Sequence, residues 1–208
     1  MAYDLITLRN GLRIVGERMP DIRTAAVGVF VRTGAVNESP EENGYSHFVE
    51  HMVFKGTKEK NAAALADEMD RLGGATNAFT AKESTCFYTK VMDEHLERGI
   101  SLLADLLLRP EFPQDDLERE KGVVIEEIAM CEDNPEDLVH ELLSDAQYQG
   151  HSLGLPILGT EKIIRNVTRE KLFAFMKKHY TSRNTVISVA GRYDWDELVQ
   201  LLDKYFGA

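Results

Sequence analysis

The sequence is short of positive charge: its 208 residues carry 24 Lys and Arg against 35 Asp and Glu, a net charge of −11. Nucleic acid and anionic membrane surfaces attract a basic footprint, so neither is expected as a main partner. Long apolar runs are also missing. The longest, interrupted only by glycine, is Ala25 to Val31, and Arg32 ends it, far short of the roughly 20 residues a membrane helix needs. Only two cysteines occur, Cys86 and Cys131. They have no metal-type spacing, and reduced thiols in a cytoplasmic setting are expected. Met1-Ala2-Tyr3-Asp4 has neither the basic nor the apolar region of a signal peptide. Linkers rich in Pro or Ser, low-complexity tracts and internal repeats are absent too, so a single domain over residues 1–208 is expected. What remains, 43% hydrophobic and 28% charged, is the composition of a folded globular chain.

Local patterns divide this chain into strands and helices. Two alternating segments, Tyr3 to Leu8 and Leu12 to Glu17, flank Asn10-Gly11, a strong short-range hairpin signal. Thr24 to Thr33, rich in Val, reads as a buried strand, and a polar loop from Gly34 to Asn43 follows. Helical spacing covers Gly44 to Phe54 and Asn61 to Leu72, where Gly73-Gly74 stops the second helix. Thr76 to Phe79 and Ser84 to Val91 read as paired strands. Helices are expected at Asp93 to Leu108, Gln114 to Glu132, Pro135 to Tyr148 and Arg169 to His179. A strand from Asn184 to Ala190 and a helix from Trp195 to Tyr205 complete the chain. Strands and helices mix without regular alternation, which predicts an α+β domain: a largely antiparallel sheet with helices packed on one face.

One stretch carries chemistry: His47-Phe48-Val49-Glu50-His51, inside a predicted amphipathic helix. Residues i and i+4 share a helix face, so both imidazoles can point at one ion, and Glu50 lies near that face. Two histidines on zinc beside a carboxylate able to activate water is the metalloprotease arrangement. The order His-x-x-Glu-His is the inverted form of that motif. By composition alone the pattern arises in about two chains per hundred, so a third ligand is needed to decide. The helix around Glu118 to Ile128 offers candidates. Glu120 and Glu127 are two turns apart on one face, whereas Glu126 is rotated by about 100° and misses a site that Glu127 reaches. A solvated acidic face is the plainer account of this helix taken alone.

The segment Gly44-Tyr45-Ser46-His47-Phe48-Val49-Glu50-His51-Met52-Val53-Phe54-Lys55-Gly56-Thr57 resembles the zinc-site segment of the pitrilysin/insulinase family of metallopeptidases. Within that family it resembles the bacterial relatives of the mitochondrial processing peptidase β subunit. Gly73-Gly74-Ala75-Thr76-Asn77-Ala78-Phe79-Thr80 resembles the family's substrate-strand motif, and His151 to Gly159 matches a further family segment. The resemblance implies Zn²⁺ held by His47, His51 and Glu127, the last lying 76 positions beyond His51. It further implies Glu50 as the residue that takes and returns the proton of attacking water, and Glu120 in a supporting, orienting role. Asn77 and Ala78 are implied to sit on an edge strand that pairs with an extended peptide substrate. His95, His140, His151 and His179 lack ligand spacing.

Family enzymes are built from two homologous halves that close around a chamber, and this chain resembles the first, zinc-bearing half. The resemblance therefore implies a peptide substrate and a partner, either a homologous second-half domain or a second copy in a homodimer. The function expected is a zinc-dependent endopeptidase. The competing expectation is a non-catalytic assembly subunit of the same fold, against which the full set His47, Glu50, His51, Glu120 and Glu127 argues.

Overall fold

A computed structural model describes residues 3–207. The Asn-Gly hairpin forms as its sequence requires: β1 (Asp4–Thr7) pairs antiparallel with β2 (Arg13–Arg18), Ile6 opposite Ile14. The turn is closed by Leu8 N donating to Leu12 O at 2.8 Å. β3 (Thr24–Val31) follows, then α1 (Tyr45–Val53) and α2 (Ala62–Leu72). Asn61 caps α2 by accepting from Ala64 N, and Gly73, left-handed at φ 65°, ends it. β4 (Ala75–Thr80) and β5 (Thr85–Met92) form an antiparallel pair. Then come α3 (Leu96–Leu108), α4 (Gln114–Asp133), α5 (Pro135–Gln147), α6 (Glu161–Arg165) and α7 (Arg169–His179). β6 (Thr185–Gly191) and α8 (Trp195–Phe206), capped by Asp194, close the fold.

The six strands form one sheet in the order β1-β2-β6-β3-β5-β4. Every pairing is antiparallel except β2 with β6, where the last strand inserts parallel to β2 and antiparallel to β3. The α+β architecture with a largely antiparallel sheet is thus present, with one parallel seam. The five-residue α6 is an addition to the expected elements, too short to leave a periodic signature.

Strand alternation sends Ile14, Val27, Val29, Phe87, Ile187 and Val189 to one face, all 0–1% exposed. They pack with Phe48, Val49, Met52 and Val53 of α1, Ile100 and Leu103 of α3, and Leu198 and Leu202 of α8 in one apolar cluster. The helices therefore cover a single face. The other face carries part-exposed Phe30 and Phe79, whose rings meet edge to face at 6.5 Å. One face of α1 is buried in the core, and β4, the last strand in the order, has no strand on its outer side among the described residues.

Candidate metal centre

The start of α1 is held from an unexpected quarter. Glu38, in the polar loop after β3, is 5% exposed and lies against the helix N-terminus. It accepts from Gly44 N at 2.8 Å, Ser46 N at 2.7 Å and Asn43 Nδ2 at 3.1 Å. A carboxylate here satisfies donors that have no partner within the helix and faces the positive end of its dipole. Burial raises its pKa, and these hydrogen bonds oppose the rise. The loop after α5 braces the same point: Asn43 Nδ2 donates to Pro156 O at 2.8 Å. A Cβ on Gly44, left-handed at φ 92°, would lie 2.7 Å from Leu158 O, so the close approach requires glycine.

On the helix so fixed, the His47 and His51 rings stand edge to face with centroids 4.6 Å apart. α4 lies across them and delivers Glu127, whose Oε2 is 3.7 Å from His47 Nε2 and 3.5 Å from His51 Nε2. The ligand atoms of His47, His51 and Glu127 all lie within 4.8 Å of one another. Donors on a tetrahedral zinc at about 2.0–2.1 Å are spaced about 3.4 Å apart, which the two distances to Glu127 approach. Two imidazoles and one carboxylate, with a position left open, is also the donor chemistry of a catalytic zinc site.

Glu120 is not in that cluster. It lies behind it, 7% exposed, with Oε2 2.9 Å from His51 Nδ1. A proton on Nδ1 donated to Glu120 leaves the Nε2 lone pair turned toward Glu127, the arrangement a metal ligand needs. Glu126, next to Glu127 in sequence, is exposed. The Nδ1 atom of His47 is buried without a hydrogen-bond partner. Burial, and secondarily the neighbouring His51, lowers the His47 pKa to about 4, so the imidazole is neutral and ready to ligate at pH 7.

This has a consequence for the metal-free chain. The folded form resists protonating His47, whereas the unfolded chain takes up that proton near pH 6.5. Stability therefore falls as pH drops from 6.5 toward 4, by up to about 3 kcal/mol from this group. Urea titrations of the chelator-treated chain at pH 7 and pH 5 measure the loss, and His47→Gln is expected to remove most of it. An identical loss in that variant would contradict the assignment.

Glu50 projects beside the cluster. Its Oε2 accepts from Thr80 Oγ1 at 2.5 Å. Burial raises the Glu50 pKa and Glu127 adds to the rise, against the hydrogen bond from Thr80 and the charge of His51. Thr80 is the last residue of β4, so the carboxylate is tethered to the edge strand. Asn77 and Ala78 lie on the same strand, outside the metal cluster. Asn77 is exposed, Ala78 packs into the core, and Ala78 N donates to Asn77 Oδ1 at 2.9 Å. Sequence reasoning missed Glu38 and Thr80 as contributors. The motif ending at Thr80 was the available signal for the second, and nothing local distinguishes Glu38 from its acidic neighbours.

Comparison with known proteins agrees with this fold. Residues 13–161 match the family described as insulinase (peptidase family M16), and residues 166–208 match the peptidase M16 inactive domain. An uncharacterized zinc protease of Bacillus subtilis, YmxG, is 48% identical over 97% of this chain and 49% of its own length. One from Mycobacterium leprae is 42% identical over 97% of this chain and 45% of its own. The structure of a protease from Helicobacter pylori superposes with a TM-score of 0.94 at 25% identity, covering all of this chain and 50% of that one. A peptidase M16 inactive domain from Pseudomonas fluorescens shares the fold, with a TM-score of 0.93 at 19% identity. Fold and site together define a peptidase-type α+β half-domain. The chain belongs to the insulinase family, M16, and spans about half the length of the curated relatives it matches.

Proposed function

We propose that the chain is the metal-bearing half of a zinc-dependent endopeptidase acting on extended peptides. The observation that carries this reading is the convergence of His47, His51 and Glu127 on one point, with Glu50 held beside it by Thr80. Zinc held by His47, His51 and Glu127 would polarise the scissile carbonyl and make water nucleophilic near neutral pH.

The chain's own residues do the rest. Glu50 takes the proton of the attacking water and returns it to the leaving amine, and burial, by raising its pKa, makes it a stronger proton acceptor than an ordinary carboxylate. Thr80 occupies the Oε2 oxygen of Glu50, which leaves Oε1 to accept from the reacting water. Glu120 holds His51 by Nδ1. Asn77 and Ala78 offer a peptide the free edge of β4, where strand addition supplies main-chain hydrogen bonds without demanding a particular side chain. The substrate strand thus runs on to Thr80, which touches the base, so binding and proton transfer share one element. A non-catalytic assembly role would leave this tethered Glu50 without use.

The partner is a homologous second half or a second copy, which completes the site by orienting the peptide and excluding water. The test is cleavage of quenched fluorescent peptides by this chain, alone and mixed with a homologous second half. Cleavage is expected to rise at least tenfold with the second half, to stop with a chelator and to return with zinc. Cleavage that survives the chelator would overturn the zinc reading. No cleavage in either form by a zinc-loaded chain would favour the assembly role.

A further inference from the structure

We propose that Lys55 is a positioning residue of the metal site, acting through Glu120 on His51. The proposal rests on the zinc reading above and extends it by one residue. Lys55 Nζ lies 2.7 Å from Glu120 Oε1, while the other oxygen of the same carboxylate, Oε2, lies 2.9 Å from His51 Nδ1. The three groups form a chain: ammonium, carboxylate, imidazole. Its middle member is the least exposed, with the Glu120 side chain at 10% against 31% for Lys55 and 18% for His51.

An ordinary surface ion pair contributes little. This one differs because a buried carboxylate is costly unless it is compensated by charge and hydrogen bonds. A neutral imidazole gives Glu120 one hydrogen bond and no charge. Among the described residues, Lys55 is the cation paired with it, since the flanking cations of α4 are used elsewhere, Arg119 on Asp116 and Lys121 on Glu118. Without the ammonium, the carboxylate gains by swinging toward water, which frees the His51 ring to turn and exchange its nitrogens.

The backbone around Lys55 is fixed for this task. Lys55 N donates to Met52 O at 3.1 Å, just past the end of α1. Gly56 bridges to Asn61, Gly56 O accepts from Glu111 N at 3.0 Å, and Thr57 Oγ1 donates to the buried Asp105 at 2.9 Å. The segment that carries Lys55 is therefore tied to the α3–α4 connection, the one that launches the helix bearing Glu120. Register between the ammonium and the carboxylate is set from both sides.

The experiment compares Lys55→Met, Lys55→Arg, Glu120→Gln and the Lys55→Met/Glu120→Gln double variant. Zinc affinity is read by competition with a chromophoric chelator. The His51 tautomer is read in the metal-free chain from its ring nitrogen-15 shifts. Lys55→Met is expected to weaken zinc binding by roughly tenfold to a hundredfold, the range for losing an outer partner of a ligand. Lys55→Arg, which keeps the charge, restores most of the affinity. The double variant binds no more weakly than Glu120→Gln alone, because Lys55 acts through Glu120. In the metal-free Lys55→Met chain, His51 passes from a single Nδ1–H form to a mixture. Lys55→Gln gives the same readings if Lys55→Met does not fold. Unchanged affinity and tautomer in Lys55→Met, or losses that multiply in the double variant, would overturn the proposal. A wild-type chain that binds no zinc overturns the metal reading itself. The tautomer comparison, which needs no metal, still decides whether Lys55 sets the ring.

Discussion

Glu127→Gln is expected to leave the fold intact and to lower zinc affinity by at least a hundredfold. The glutamate is the one anionic donor in the cluster, and the two imidazoles are neutral when they ligate. Its Oε2 sits 3.5 and 3.7 Å from the two histidine nitrogens, and among the described residues no fourth ligand-type side chain joins the cluster. An amide oxygen is a far weaker zinc donor than a carboxylate. Loss of an outer-shell partner already costs about tenfold to a hundredfold, and loss of a direct ligand costs more. Glu127 is also part-exposed and lies outside the main apolar cluster, so the substitution removes a donor without opening a cavity. Metal content by mass spectrometry is expected near one zinc per wild-type chain and near none in the variant. Glu126→Gln, one residue away on the exposed side of α4, serves as the control and is expected to keep its metal.

Glu50→Gln is expected to separate binding from chemistry. The residue stands beside the cluster, and the cluster is complete without it. Zinc affinity should therefore change by no more than a few-fold. Peptide hydrolysis by the chain combined with its second half should fall by about 10²- to 10⁴-fold, the usual contribution of a positioned proton acceptor. Glutamine keeps the size and can still accept from Thr80, so the loss reports the missing base and not a collapsed site. A variant that retains zinc and retains activity would remove Glu50 from the mechanism. One that loses both would make Glu50 part of the metal site.

These predictions draw on features of unequal legibility. The pair His47 and His51 could be read from helical spacing alone, because the spacing is local and α1 is helical for local reasons. Glu127 was harder. Periodicity on α4 narrows the third ligand to a face shared with Glu120, and the family resemblance chose between them. The folded chain separates the two by depth, with Glu127 forward at the histidine nitrogens and Glu120 behind His51. The hairpin, the central strand and most helices were also visible, each carrying its own turn residue, cap or apolar period. The parallel seam between β2 and β6 was not, because it joins segments separated by most of the chain and no local pattern encodes it.

The contributors that were missed share a physical reason. Glu38, Thr80 and Lys55 act through polar contacts that only the fold makes: Glu38 with three donors at the start of α1, Thr80 with Glu50, and Lys55 with Glu120. A polar residue in a polar loop reads as solvated until the fold buries it. Glu38 is the extreme case: one of three glutamates in a loop, yet the one that faces the amide nitrogens at the start of α1.

The most direct test of the central claim is anomalous diffraction at the zinc edge from crystals of the chain grown with zinc. The account predicts a single strong peak about 2.0–2.2 Å from His47 Nε2, His51 Nε2 and Glu127 Oε2, with His51 Nδ1 still held by Glu120. No peak at this point, or a peak coordinated without Glu127, would contradict it.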